Sequence, residues 1–258
     1  MEYQTVADAR DMRGLRLVLT AGVPAPWSES AKAVFKVKNI PYVPVLQKAA
    51  AANNELVAWT GHRNAPTAMY QNEPPGVTWL DILNLAERLQ PEPSLVPEDI
   101  EDRILMTGLM NELAGEGGML WSSRQLMFQT MVNAMGEEAV VNTPMFRNYR
   151  YSAEAAASAC EKAVTILRRF ELQLQRQSDA SSRYLIADRL SVLDLYWACF
   201  SQTLAPLPEE VNPMPQSLRV TWGSAVDEMA KAGYSADERL FEHRDYIYRE
   251  YIGLPLDF

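Results

Sequence analysis

The stretch QPEPSLVPED at 90–99 constrains this chain more than any other, because the residue pattern changes across it. It sets three prolines within ten residues at the end of a helical repeat. Proline removes the N–H that a helix interior needs, so the helix must stop there. Before this point short strand-like runs alternate with helical ones; beyond it the pattern is helical nearly throughout. The expected division is a first domain over 1–90 and a second over 91–258, and 258 residues is an ordinary length for two domains.

In the first part LRLVLT (15–20) is a short apolar run of β formers and reads as a buried strand. From Ser28 to Lys38, Ala31, Val34 and Phe35 recur at helical spacing, with Lys32, Lys36 and Lys38 elsewhere on the helix. YVPVL (42–46) is a second strand, and its proline places it at an edge. Strand, helix, strand in this order requires a crossover and a parallel pair. TAMYQ (67–71) and GVT (76–78), separated by NEPP, predict two short strands joined by a tight turn. Ile82, Leu85, Ala86 and Leu89 then form one face of a helix over 79–89.

In the second part Met106, Leu109, Met110 and Leu113 make one helical stripe, and Cys160, Ala163, Leu167, Phe170 and Leu174 another. SVLDLYWACF (191–200) is so apolar that its helix belongs in the centre of that domain.

Composition removes several classes of function. Hydrophobic residues are 48% and charged residues 22%, which argues against disorder. A net charge of −9 without a Lys/Arg run disfavours nucleic acid and anionic membrane as partners. The polar start MEYQTVADARDMRG has no signal-peptide core, and no run of about 18 apolar residues predicts a membrane span. Cys160 and Cys199 lie in apolar helical patterns and read as buried thiols, consistent with a cytoplasmic protein. His62 and His243 stand far apart outside any metal-ligand spacing, so no metal is expected.

The order of these parts, and the motifs within them, resemble the glutathione transferases. APWSESAKAVFKVKNIPY is similar to the omega-like, cysteine-type members, in which a Cys-Pro-aromatic turn opens a basic and apolar helix. Asn39-Ile40-Pro41-Tyr42 occupies the turn that ends that helix. NAPTAMYQ carries Ala65-Pro66 before the third strand, VTWLDILNLAERL opens the third helix, and YLIADRLSVLDLYWA resembles the helical-domain signature. The resemblance spans roughly residues 15–200. It implies an α/β thioredoxin-like first domain that binds glutathione, an all-α second domain on the acceptor side, and a homodimer. Two departures stand out. Ala25 occupies the cysteine position, and Val77 the position usually acidic or Gln.

Ala25 removes the thiolate, so thiol-disulfide oxidoreductase chemistry is disfavoured. Ser28 is the nearest hydroxyl: it, or the backbone amides of its turn, would stabilise a glutathione thiolate, or it simply caps the helix. Trp27 walls the site or anchors the turn. By the resemblance, Pro66 is cis and lets Ala65 pair with the peptide of glutathione; the alternative is a proline kept for the fold. Thr78, with Asp81 in a capping-box pair, would receive the γ-glutamyl carboxylate or act as a plain cap. Val77 offers no side chain to the γ-glutamyl ammonium, and Arg63 is a ligand-carboxylate partner or a solvated loop residue. Ser191 and Asp194 form a structural cap. In the second domain Met106, Met110, Trp121 and Arg124, with Met127, are the candidate acceptor pocket or ordinary core.

The expected function is glutathione binding, with conjugation of its thiolate to a small apolar electrophile. The alternative is a non-catalytic binding or interaction protein on the same fold.

Overall fold

The computed structural model describes residues 1–258 as two compact units. The first comprises Met1–Leu95 together with Pro208–Met214 and Arg249–Phe258; the second comprises Val96–Leu207 and Pro215–Tyr248.

The first unit is built on a three-stranded sheet of order β2-β1-β3, with β1 at Leu15–Thr20, β2 at Val43–Gln47 and β3 at Thr67–Tyr70. β1 runs parallel to β2 and antiparallel to β3, as the strand–helix–strand pattern requires. The central strand is buried from Leu15 to Leu19, Arg16 included, because helices cover both faces. On one face Val18 and Val45 pack with Ala9 of α1 (Val6–Arg10) and Leu56 of α3 (Asn54–Thr60). On the other, α2 (Pro26–Val37) packs against β1 and α4 (Trp79–Leu89).

The structure departs from the sequence expectations in four places. α1 and α3 form in segments too polar and Ala-rich to show a helical stripe. α2 starts at Pro26, not Ser28, with Ala25 as N-cap; proline suits the first helical position, where no N–H is needed. The expected fourth strand shrinks to one antiparallel bridge, Gly76 with Ala68. Pro74 and Pro75 cannot donate to a ladder, and Thr78 has already turned to cap α4.

The second unit is helical. α5 (Ile100–Ala114) and α6 (Met119–Met135) are followed by two short helices, α7 (Glu137–Val140) and α8 (Pro144–Asn148). Then come α9 (Ala153–Asp179), α10 (Val192–Phe200), α11 (Gln216–Lys231) and α12 (Glu238–Ile247). α6 packs on α9, and α10 lies between α5 and α12 with every residue buried. The Met106–Leu113 stripe faces inward. Cys199 is buried, Cys160 is partly exposed, and neither forms a disulfide. No helix is long and apolar enough to cross a membrane.

Candidate functional site

The sheet register relates segments that lie far apart in the sequence. β1 pairs with β3 from Leu15↔Tyr70 to Val18↔Thr67. Continued by two residues, that register sets Pro66 beside Leu19 and Ala65 beside Thr20. Only Gly76 bridges to Ala68; Val77 and Thr78 follow it directly into the cap of α4. The turn into α2 leaves the same end of β1. The Ser28–Thr20 hydrogen bond holds the α2 turn at the carboxyl end of β1, and Ala65–Pro66 lies just before β3, whose antiparallel pairing with β1 starts at Val18↔Thr67.

In the first of these segments, Ala25 caps α2 through its backbone alone: its carbonyl accepts from the Glu29 N–H at 2.9 Å. The first-turn amides of a helix have no carbonyl one turn back, and its dipole is positive there, so the turn favours an anion. Ser28 is 1% exposed, and its Oγ accepts the Thr20 N–H at 3.1 Å. This bond ties the first turn of α2 to the last residue of β1. Trp27 is half-buried.

The Ala65-Pro66 peptide is cis, with Pro66 buried and Ala65 half-buried. The loop before it is held from β2: Gln47 Nε2 and Asn53 Nδ2 both donate to the Arg63 carbonyl at 3.3 Å. The side chains of His62 and Arg63 lie in an exposed loop.

Thr78 caps α4 with a reciprocal box. Its Oγ1 accepts the Asp81 N–H at 3.1 Å, while Asp81 Oδ2 accepts the N–H of Thr78 at 2.9 Å and of Val77 at 3.1 Å. Partial burial pushes the Asp81 carboxyl up, but the hydrogen bonds from Thr78 and Val77 outweigh it and hold the group below its ordinary value. The chain thus already places one carboxylate at this helix N-terminus.

In the second unit, α6 carries Trp121 and Arg124 on one half-exposed stretch. The Trp121 ring lies 4.9 Å from that of Tyr149, and the Arg124 guanidinium 5.8 Å over the same ring. Gln125 Nε2 donates to the Tyr149 carbonyl at 2.8 Å. Burial pushes the Tyr149 phenol up, and Arg124 offsets part of that shift. Met106, Met110 and Met127 are buried. No group of three or more His, Cys, Asp or Glu side chains could hold a metal ion.

No family model matches the chain, and no curated protein matches its sequence. Solved structures do. A glutathione S-transferase domain-containing protein from Marinobacter aquaeolei VT8 superposes with a TM-score of 0.61 at 13% identity, over 92% of this chain and 100% of that one. A glutathione transferase from Pseudomonas putida, solved with one glutathione disulfide per subunit, gives 0.59 at 12% identity over 95% and 91%. A glutathione S-transferase from Methylobacterium radiotolerans, in complex with glutathione sulfonate, gives 0.55 at 14% over 89% and 93%. The fold is that of the glutathione transferases.

Within the glutathione transferase fold, Trp27, Ser28, Ala65, Pro66, Val77 and Thr78 belong to the first unit, whereas Met106, Met110, Trp121 and Arg124 belong to the helical unit. Sequence reasoning missed Tyr149, which lies 25 residues from Arg124 and follows a short helix with no stripe.

Proposed function

We propose that this protein binds glutathione on its first unit and presents the thiolate for conjugation to a small apolar electrophile. What supports the reading is the α2 turn tied to the carboxyl end of β1, with a cis Ala65–Pro66 step before the antiparallel β3 and a capped helix start at Thr78 after it. The glutathione or glutathione derivatives bound by the structural neighbours support it. In this reading the Ala65 backbone pairs with the peptide of glutathione, and the thiolate lies against the α2 turn beside Trp27. Because Ser28 is 1% exposed, the turn's amides rather than that hydroxyl carry most of the thiolate stabilisation. Lowering the thiol pKa and positioning it supply the rate, since attack is by glutathione itself. Trp121 and Arg124 are the leading acceptor-contacting residues, with Met106 and Met110 buried in support. A homodimer and a cytoplasmic location complete the reading.

Ala25, Val77 and the buried Ser28 favour a second reading, a non-catalytic glutathione-binding protein. Isothermal titration with reduced glutathione, in parallel with Thr78→Ala, tests the shared part. Binding that weakens in the variant supports the site, and no binding at millimolar glutathione overturns it. Turnover of an apolar electrophile by the binding-competent protein then separates the two.

A further inference from the structure

Ala25 supplies no side-chain oxygen, so the first turn of α2 lacks the cap that keeps a helix start from fraying. Fraying scatters the aligned amides that favour an anion. Something other than a cap must therefore hold this turn. Glu29, Lys32 and Lys36 stand three and four residues apart, in one row along α2. The segment Arg249–Phe258, which groups with the first unit although it follows the last helix of the second, lies along that row. Lys36 Nζ donates to the Ile252 carbonyl and Lys32 Nζ to the Asp257 carbonyl. Lys32 also reaches both carboxylate oxygens of Glu29 at 3.0 Å, and the Glu29 N–H donates to the Ala25 carbonyl at 2.9 Å. A continuous chain of polar contacts thus runs from Asp257 to the start of α2. The segment is itself anchored: Ile252 and Leu256 are 8% exposed, and the Leu256 N–H donates to the Val211 carbonyl at 2.8 Å. Tyr3 and Tyr42 share this dry environment. Burial, then the Glu29 charge, pushes both phenols up, Tyr3 to about 12.

We infer that residues 252–257 form a strap that holds the first turn of α2 in place of a cap, and that the strap sets how well this turn stabilises an anion. Lys32 and Lys36 are positioning residues, touching the strap and not the ligand. Both donate charge-assisted bonds to main-chain carbonyls, so the strap is gripped by its backbone. When the strap is in place the turn is closed and its amides are aligned. When it lifts, the turn frays and the anion site is lost. The inference rests on the reading of the α2 turn as the thiolate site and adds the part of the chain that controls it.

Two variants release the strap: deletion of residues 253–258, and Lys36→Met, an exposed side chain whose loss removes only the Ile252 contact. Hydrogen exchange in the α2 peptide should quicken about tenfold or more in the deletion and less in Lys36→Met, with β1 and α4 still protected. The deletion is also made in an Ala25→Cys chain, where the new thiol reports on the turn without any ligand. That thiol should titrate at higher pH once the strap is gone. Loss of the Asp257 carboxylate alone acts in the opposite sense, so the direction separates a loosened turn from a lost charge. Reduced glutathione should bind the deletion about threefold or more weakly by calorimetry. Unchanged exchange in α2 overturns the strap, and if the deletion does not fold, Lys36→Met decides this by the same exchange measurement. Faster exchange with a thiol that titrates unchanged or lower overturns the link between strap and anion site. Failure of wild type to bind glutathione overturns the glutathione reading alone, since exchange and thiol titration still judge the strap.

Discussion

Lys38 Nζ lies 2.6 Å from Glu87 Oε1, joining the end of α2 to the last turns of α4. Lys38 is 1% exposed and also donates to the carbonyls of Gln90 at 2.7 Å and Pro91 at 3.0 Å. Glu87 in turn accepts from Ser94 Oγ and from the Leu95 N–H. The proline-rich stretch is therefore held by an internal ion pair that fixes where the first unit ends. Lys38→Met leaves the Glu87 carboxylate and two carbonyls without their donor. Loss of one partner of a buried pair costs about 3–5 kcal/mol. Urea unfolding should show a loss of unfolding free energy of that size; a change below about 1 kcal/mol would mean that water replaces the ammonium.

A second buried pair holds the helical unit. Asp194, fully buried at the start of α10, accepts from the N–H groups of Leu185 (2.7 Å) and Ser191 (2.8 Å) and from Ser191 Oγ (2.7 Å). His243 Nε2 of α12 lies 2.9 Å from the same carboxylate. Ser191 bonds the aspartate and not the imidazole, so this is a cap with a histidine bolt and not a nucleophile with its base. Asp194→Ala should destabilise the chain by about 3–5 kcal/mol in calorimetric or urea unfolding, with glutathione binding by any remaining folded protein unchanged.

These two networks show what was legible in the sequence and what was not. The Ser191–Asp194 cap was readable because its partners sit three residues apart in front of an apolar run. His243 was not, because its partner is 49 residues away and one histidine on a helix says nothing of what it faces. Lys38 read as one of three helix lysines outside the apolar stripe; only the return of α4 buries it. The same limit hid the segments 208–214 and 249–258, which group with the first unit. The parallel pairing of β1 with β2 was legible because it follows from the strand–helix–strand order.

Buried Glu29 sets a pH dependence of definite sign. Desolvation raises its pKa in the folded state, and Lys32, 3.0 Å away, offsets only part of that rise. Its folded pKa lies above its unfolded one, so its contribution is fully present below the unfolded value. That contribution is lost as pH rises through the folded value. Glu29→Gln is neutral throughout. Melting temperatures from about pH 4 to pH 8 should show the variant gaining on wild type as pH increases. Asp81, with its pKa lowered, works oppositely, and its share of stability disappears toward acid. A wild-type–Glu29→Gln difference that is flat with pH would contradict the assignment.

Gly253 closes the returning C-terminal segment. Its φ is +86°, and a Cβ there would stand 2.7 Å from Lys36 Nζ, which donates to the Ile252 carbonyl. Gly253→Ala therefore carries a left-handed backbone cost and displaces the lysine, together about 1–3 kcal/mol. Gly14 has φ +83° with nothing within 4 Å of its Cβ position, so Gly14→Ala carries the backbone part alone. The two urea midpoints, taken at unchanged m, should differ by the lysine contact. Equal losses would show that Lys36 finds an equivalent partner.

Placing a thiol at the α2 cap tests the turn directly. Ala25 is half-buried and precedes Pro26 in a helix of 12 residues, so a cysteine side chain there would lie at the positive end of the dipole. The Ala25→Cys thiol should ionise below the ordinary value of about 8.5. The native thiols give a quiet background: burial and then Glu228 push Cys160 up, and Cys199 is buried. Alkylation rate against pH should therefore show one early-titrating thiol in the variant and none in wild type. A new thiol titrating at or above the ordinary value would show that the turn does not stabilise sulfur anions. The thiolate half of the proposed function would then fail while the Thr78 contact stood.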